Sequence, residues 1–146
     1  MQNSETVLIN LSKQALKKDY VFDRIYRNLY NPDFYTKAFS HIYKNDGSAT
    51  AGVDGQTASY FSEQLIDQTI DKMRNETYQP KPALRVYIPK KDGNKRPLGI
   101  PTFMDRIVQE ICRMILETIY EQSFSVSSHG FRPNKSCHTA LMEIDK

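Results

Sequence analysis

"YIPKKDGNKRPLGIP", residues 87–101, decides how the rest of the chain is read. A short apolar strand enters it, two lysines follow, and the chain reverses at Asp92-Gly93-Asn94. It then returns through Lys95 and Arg96 into a proline-bounded arm. Asp-Gly between two apolar runs is a hairpin signal. The turn needs Asp and Gly; it does not need Lys90, Lys91, Lys95 and Arg96 together. A hairpin fixes where its cations point, so Lys90 and Arg96, flanking the turn, can converge on one anion. Lysine offers a compact charge and arginine a planar fork that suits phosphate oxygens. The pattern points to phosphate binding, with a solvated basic turn as the other reading.

Charge is placed unevenly around this stretch. The 146 residues carry a formal net charge of +3. Residues 1–78 hold nine Lys/Arg against ten Asp/Glu, and residues 114–146 hold three against four. Residues 79–113 hold eight against three, including Arg85, Lys90, Lys91, Lys95 and Arg96. Concentration of this kind is how a polyanion-binding surface shows itself in sequence. With 39% hydrophobic and 25% charged residues, the composition is that of an ordinary globular domain with enough chain for a core. No apolar run approaches the ~20 residues of a membrane span. The opening "MQNSETVLINLSKQ" lacks a signal-peptide pattern. Two cysteines make no disulfide framework, which favours a reducing, cytoplasmic compartment.

Outward from the hairpin, "LRVYIP" alternates Leu84, Val86 and Ile88 against Arg85 and Tyr87, a half-buried strand. After Pro101, Thr102 and Asp105 have capping-box spacing at the head of a helix over 103–122. Its inner stripe is Phe103, Ile107, Val108, Ile111, Cys112, Ile115, Ile119 and Tyr120. Three helices are expected first: 5–18 with Leu8, Leu11, Ala15 and Leu16 inward, 20–30 with Val21, Phe22, Ile25, Tyr26 and Leu29, and one opened by Asn31-Pro32. In the third, Phe34/Tyr35, Ala38/Phe39 and Ile42/Tyr43 read as core rather than as a platform for bases. A glycine-bearing loop over 45–57 leads to a helix over about 59–75, with Phe61, Leu65, Ile66, Ile70 (or Thr69) and Met73 inward, which "YQPKPA" stops. A loop, "SVSSHGFRPNK", precedes a last helical start, "SCHTALMEIDK", with Ala140, Leu141 and Ile144 facing inward and no partner in the chain. The chain reads as part of something longer. The fold class is α+β, mostly helical with one hairpin.

Familiar catalytic patterns are missing. The three histidines lie in unrelated settings, no metal-ligand spacing occurs, and no nucleophile elbow, Walker loop or zincin motif is present. Asp67 and Asp71 share a helix face, as solvated surface acids commonly do.

Three stretches, in this order and spacing, carry a resemblance: "AGVDGQT" (51–57), "RVYIPKKDGNKRPLGIPTFMDRIVQEICRMILETIYEQ" (85–122) and "SSHGFRPNKSCHTAL" (127–141), together 60 of the 146 residues. They resemble the front part of group II intron reverse transcriptases, the intron-encoded maturase type; retron-like, diversity-generating and CRISPR-associated reverse transcriptases share similar motifs. The resemblance implies the fingers of a right-hand polymerase fold with the palm sheet largely missing. It divides the chain into an N-terminal helical extension with the A-G-V-D-G loop (1–78) and fingers hairpin, long helix and start of the fingers–palm junction (79–146).

It further implies that Lys90 and Arg96 reach the incoming nucleotide's triphosphate, with Lys91, Lys95 and Arg85 beside phosphate or template. By the same resemblance Ala51, Gly52, Asp54 and Gly55 lie near the template, and so do Gly130, Phe131, Arg132, Pro133 and Lys135. Lys135 departs from the arginine that relatives often carry there. The implied partners are group II intron RNA, an RNA template with a DNA primer, dNTP, and a second copy of the chain in a homodimer, within a bacterial cell; no membrane is involved. The implied cofactor is Mg²⁺, held in the parent enzyme by an Asp beyond "GFRP" and a later adjacent Asp pair. No adjacent Asp pair occurs in this chain, and Asp145 reads as helix surface. The expectation is an RNA-directed DNA polymerase parent with a role in intron splicing, and a chain that is catalytically incomplete alone. A stand-alone RNA-binding remnant and a dimerisation module are the alternatives.

Overall fold

A computed structural model describes residues 2–145. They form five α-helices and one antiparallel hairpin, interspersed with short 3₁₀ segments. Two compact units result. The first comprises Phe22–Arg113 with the residues up to Ser4, and the second Glu5–Val21 with Met114 onward. These units follow packing and do not share the expected boundary at 78/79.

In the first unit, α2 (Pro32–Tyr43) opens as the sequence reads. Asn31 caps it by accepting from the Asp33 N–H at 3.1 Å, and Pro32 supplies a helical φ where no amide is needed. Phe34, Tyr35 and Ala38 are fully buried, and the Tyr35 hydroxyl donates to the Leu29 carbonyl at 2.9 Å. Burial pushes that phenol well above its ordinary range. Phe39 stacks on Phe61 at 4.2 Å between centroids, and both meet Phe103 edge-on at 6.1 and 6.3 Å. These aromatics are core, while Tyr43 is exposed.

Helix α3 (Glu63–Arg74) buries Ile66, Thr69, Ile70 and Met73. It starts later than expected because the Ser62 hydroxyl accepts from the Leu65 N–H and so sets the cap there. The residues before it, Ala58–Tyr60, form a 3₁₀ turn. The expected helix over 20–30 is also corrected. Only Ile25–Tyr30 is helical, as 3₁₀, and it begins behind Arg24 at φ 59°. A left-handed residue cannot sit inside a right-handed helix, so the turn is cut to six residues.

Strands β1 (Leu84–Pro89) and β2 (Lys95–Ile100) pair from Leu84↔Ile100 to Pro89↔Lys95. Gly93 closes the turn at φ 81°, a conformation that favours glycine. The alternation is present but its burial is weaker than expected. Val86 and Ile88 are half-buried, whereas Leu84 is exposed.

Helix α4 (Phe103–Tyr120) follows two residues after β2; its residues through Arg113 belong to the first unit. Phe103, Ile107, Ile111, Ile115 and Ile119 are buried as the stripe predicts. Met114 joins them and Tyr120 does not, because the apolar face turns past Tyr120 at the helix end. On the outer side of α4, Glu110 pairs with Arg113 at 2.8 Å and with His41 Nδ1 at 2.9 Å.

In the second unit, α1 (Ser4–Ala15) buries Leu11 and ends before Leu16, which is exposed. Helix α5 (Cys137–Ile144) carries a full capping box between Ser136 and Thr139. Leu141 and Ile144, expected inward, are exposed, because no described residue packs over that side. Lys146, the end of the expected last helix, lies outside the described residues. Among the described residues no helix is long and apolar enough to cross a membrane.

Burial pushes the Glu110 carboxyl up, but hydrogen bonds from Arg113 and His41 outweigh it and hold the group below its usual value. A depressed carboxylate stabilises the fold above its unfolded pKa, near 4.5, and that stabilisation is lost as pH falls through the folded value. Wild type should therefore melt above Glu110→Gln at neutral pH. The gap in Tm should close as pH drops below about 4.5 in thermal melts followed by circular dichroism.

Candidate nucleic-acid interface

The hairpin displays its charge. Arg85, Lys90, Lys91, Lys95 and Arg96 are all exposed, and no hydrogen bond or ion pair ties any of their side chains within the described residues. Register sorts them. Side chains alternate faces along a strand, and Ile88 pairs with Arg96, so Arg96 shares a face with Val86 and Ile88. The Lys90 amide donates to the Asn94 carbonyl at 2.7 Å, which extends the ladder by one pair. Alternation then carries Lys90 to the Arg96 face. Arg85, Tyr87 and Lys95 fall on the opposite face. The tip itself is organised by Asp92, which accepts from the Asn94 amide at 3.1 Å.

The A-G-V-D-G loop is built into the first unit by close approach rather than by exposure. Gly52 is buried, and a Cβ there would stand 2.7 Å from Thr102 Cα and 2.8 Å from the Pro101 carbonyl. Asp54 accepts from the Gln56 amide at 3.2 Å and from Lys81 Nζ at 3.2 Å. Ala51 is half-buried, and Gly55 adopts φ 69°. Of the four, Gly55 alone is exposed.

Two residues that the sequence did not single out for this site hold it together. Arg106 donates to the Gly47 and Thr50 carbonyls at 2.7 and 2.6 Å, and lies 5.3 Å over the Phe103 ring. Desolvation lowers its pKa. Asp105, only 5% exposed, takes three donors: the Tyr78 hydroxyl, the Lys81 amide at 3.2 Å and the Thr102 hydroxyl at 2.6 Å. The expected capping box is thus changed in one arm. Thr102 Oγ1 still accepts from the Asp105 N–H at 3.2 Å, while the carboxylate turns to side chains and the incoming loop. Burial, then the bond to Asp105, pushes the Tyr78 phenol far up. The spacing Thr102-x-x-Asp105 showed the cap; nothing in the sequence marked Tyr78 or Lys81 as partners.

In the second unit the G-F-R-P stretch divides into displayed and internal residues. Phe131 is fully exposed at φ 56°, and Gly130 and Pro133 are exposed. Arg132 is internal. It grips Glu121 through Nε and Nη2 and donates from Nη1 to the Ser125 and Ser128 carbonyls at 2.7 Å each. Lys135 Nζ reaches the Val126 carbonyl at 3.5 Å. His129 joins the same loop to α5, with Nε2 2.6 Å from Glu143 and Nδ1 2.8 Å from Thr139 Oγ1.

The acids of the described residues do not fit a two-metal centre. Asp54, Asp105, Glu110, Glu121 and Glu143 each have internal donors, and no group of three or more His, Cys, Asp or Glu is placed to hold an ion.

Residues 88–146 match the family model described as reverse transcriptase (RNA-dependent DNA polymerase). The whole chain is 47% identical over 148 aligned residues to the group II intron-encoded protein LtrA of Lactococcus lactis subsp. cremoris, covering 25% of that protein. It is 41% identical over 142 residues to an uncharacterized 91 kDa protein in the cob intron of Schizosaccharomyces pombe, covering 94% of this chain and 17% of that one. It is 36% identical over 114 residues to a putative COX1/OXI3 intron 1 protein of Saccharomyces cerevisiae, covering 78% and 14%. The chain spans a quarter or less of the length of these curated relatives.

Two substitutions separate internal from displayed roles. Gly52→Ala should lower stability by about 1–3 kcal/mol in urea unfolding, because the contact is with backbone that cannot give, while Gly47→Ala, with open space around it, should stay near wild type. Arg132→Lys should cost about 1–3 kcal/mol by losing the fork to Glu121. Unchanged stability for Arg132→Lys would argue that its guanidinium is not held as described.

Proposed function

We propose, from the premise that this chain belongs to the family of group II intron-encoded reverse transcriptases and maturases, that it grips template, intron RNA and nucleotide phosphates for an RNA-directed DNA polymerase. Residues 1–78 serve as its N-terminal extension, and residues 79–146 as its fingers hairpin, long helix and the start of the fingers–palm junction. The same protein assists splicing of the intron RNA it binds. One observation carries this reading: five hairpin cations are exposed with no internal counter-ion among the described residues, whereas Lys81, Arg106, Arg113 and Arg132 are tied down.

Lys90 and Arg96, on one face near the tip, take the triphosphate of the incoming dNTP. Arg85 and Lys95, on the other face, and Lys91 at the turn contact template or intron RNA phosphates. Gly55 of the A-G-V-D-G loop borders the template path, and so do the exposed Gly130, Phe131 and Pro133. Ala51, Gly52, Asp54, Arg132 and Lys135 support that path by holding their loops. When bound, Mg²⁺ would activate the primer hydroxyl and stabilise the leaving phosphate. Its ligands are assigned to carboxylates other than those of this chain, so residues 1–146 alone do not extend a primer.

The test is a salt titration of the chain with a labelled single-stranded RNA oligonucleotide, with and without Lys90→Ala/Lys91→Ala/Arg96→Ala. Affinity should fall steeply with salt as counterions are released, and the triple variant should flatten the slope by roughly 0.7 per phosphate contact removed. A variant slope matching wild type would remove the hairpin from RNA binding. Self-association insensitive to salt and to these changes would instead favour the exposed Leu141, Met142 and Ile144 as a contact between copies. Primer extension by residues 1–146 on an annealed RNA template would overturn the assignment of the catalytic carboxylates.

A further inference from the structure

Both roots of the hairpin are bonded to one carboxylate. Tyr78 and Lys81 belong to the segment that feeds β1, and Thr102 lies two residues past the end of β2. Asp105 accepts from all three, through Oδ1 from Tyr78 and through Oδ2 from Lys81 and Thr102. The Lys81 side chain continues to Asp54, in the loop whose Gly52 lies against Thr102. Beyond these roots little holds the strands. Val86, Ile88 and Ile100 are half-buried and the rest of both strands is exposed. A two-stranded hairpin is marginal by itself in water, so its direction is set where it is attached.

We infer that Asp105 is a positioning residue, fixing the direction in which the hairpin presents Lys90 and Arg96 to a polyanion. The carboxylate touches neither nucleotide nor RNA. It acts through the roots, by holding the entry and exit arms at a constant separation. The inference rests on the polyanion-binding reading of the hairpin, and its test keeps the two apart.

Tyr78→Phe removes one of the three bonds and leaves the ring in place. RNA affinity is measured on the full chain with a labelled single-stranded RNA oligonucleotide, for wild type, Tyr78→Phe, Lys90→Ala/Arg96→Ala and the triple combination. Tyr78→Phe should weaken binding roughly fivefold in the wild-type background and by less than about twofold when Lys90 and Arg96 are already gone. Equal losses in both backgrounds would overturn the positioning role alone. No loss on removing Lys90 and Arg96 would overturn the binding reading and this inference with it. Amide hydrogen exchange supplies a second measurement that needs no ligand. Exchange across Leu84–Ile100 should quicken in Tyr78→Phe while α2 and α3 exchange as in wild type; unchanged hairpin exchange would overturn the inference independently of any RNA.

Discussion

A carboxylate taken out of water costs several kcal/mol unless donors replace the lost solvent. Asp105 meets that requirement with three donors drawn from the α3–β1 segment and from the residue just before α4. Its place in the first turn of α4 adds the favourable field of the helix N-terminus. Once the charge sits there, the surroundings have little freedom. Thr102 has to present its hydroxyl, Tyr78 has to bring its phenol in, and the Lys81 amide has to point inward. The A-G-V-D-G loop packs on the same spot, with no room for a side chain at Gly52. The loop, the hairpin roots and the head of α4 are therefore one construction.

The cations of residues 79–113, taken with Arg132, divide into two populations with different physics. Arg106 and Arg132 use planar, multi-donor heads to bond the carbonyls of turns and loops. Lys81 and Arg113 pair with acids at 3.2 and 2.8 Å. The five of the hairpin do none of this. The basic excess of residues 79–113 thus overstates the free charge in its body and understates how completely that charge is gathered on the hairpin. A sequence count weighs every arginine alike. Only the carbonyls and carboxylates around each one tell a strut from a displayed ion.

What was legible in the sequence is what local rules govern. Asn31-Pro32 opens α2, Asp92-Gly93 turns the hairpin, and the stripe of α4 buries nearly as its spacing predicts. These features depend on neighbours within a few residues. The failures are tertiary or conformational. Residues 20–24 have a helical pattern, yet left-handed geometry at Arg24 breaks it, and no composition rule marks an arginine for that role. Helix α3 waits for Ser62 because a cap outweighs three further residues of weak propensity. The internal partners of Arg132, namely Glu121, Ser125 and Ser128, likewise follow no local rule and show only once the loop is folded.

The hairpin places like charges against each other at a cost to its own stability. Cross-strand and same-face cations repel, and Lys90 and Arg96 share a face with no acid between them in the register. A sheet selected for stability alone would put an acid at one of those positions. Exposure softens the repulsion, since solvent and salt screen it over about 10 Å at moderate ionic strength. It does not abolish it. A phosphate chain laid across the face would turn that repulsion into attraction and release the counterions that the cations and the strand had each gathered. Under the proposed role the hairpin has such a partner, and its face has to be held steady while the partner is absent. Steadiness cannot come from the strands, which are short and bare. On the positioning role inferred above it comes from their roots, where the buried Asp105 carboxylate takes three donors.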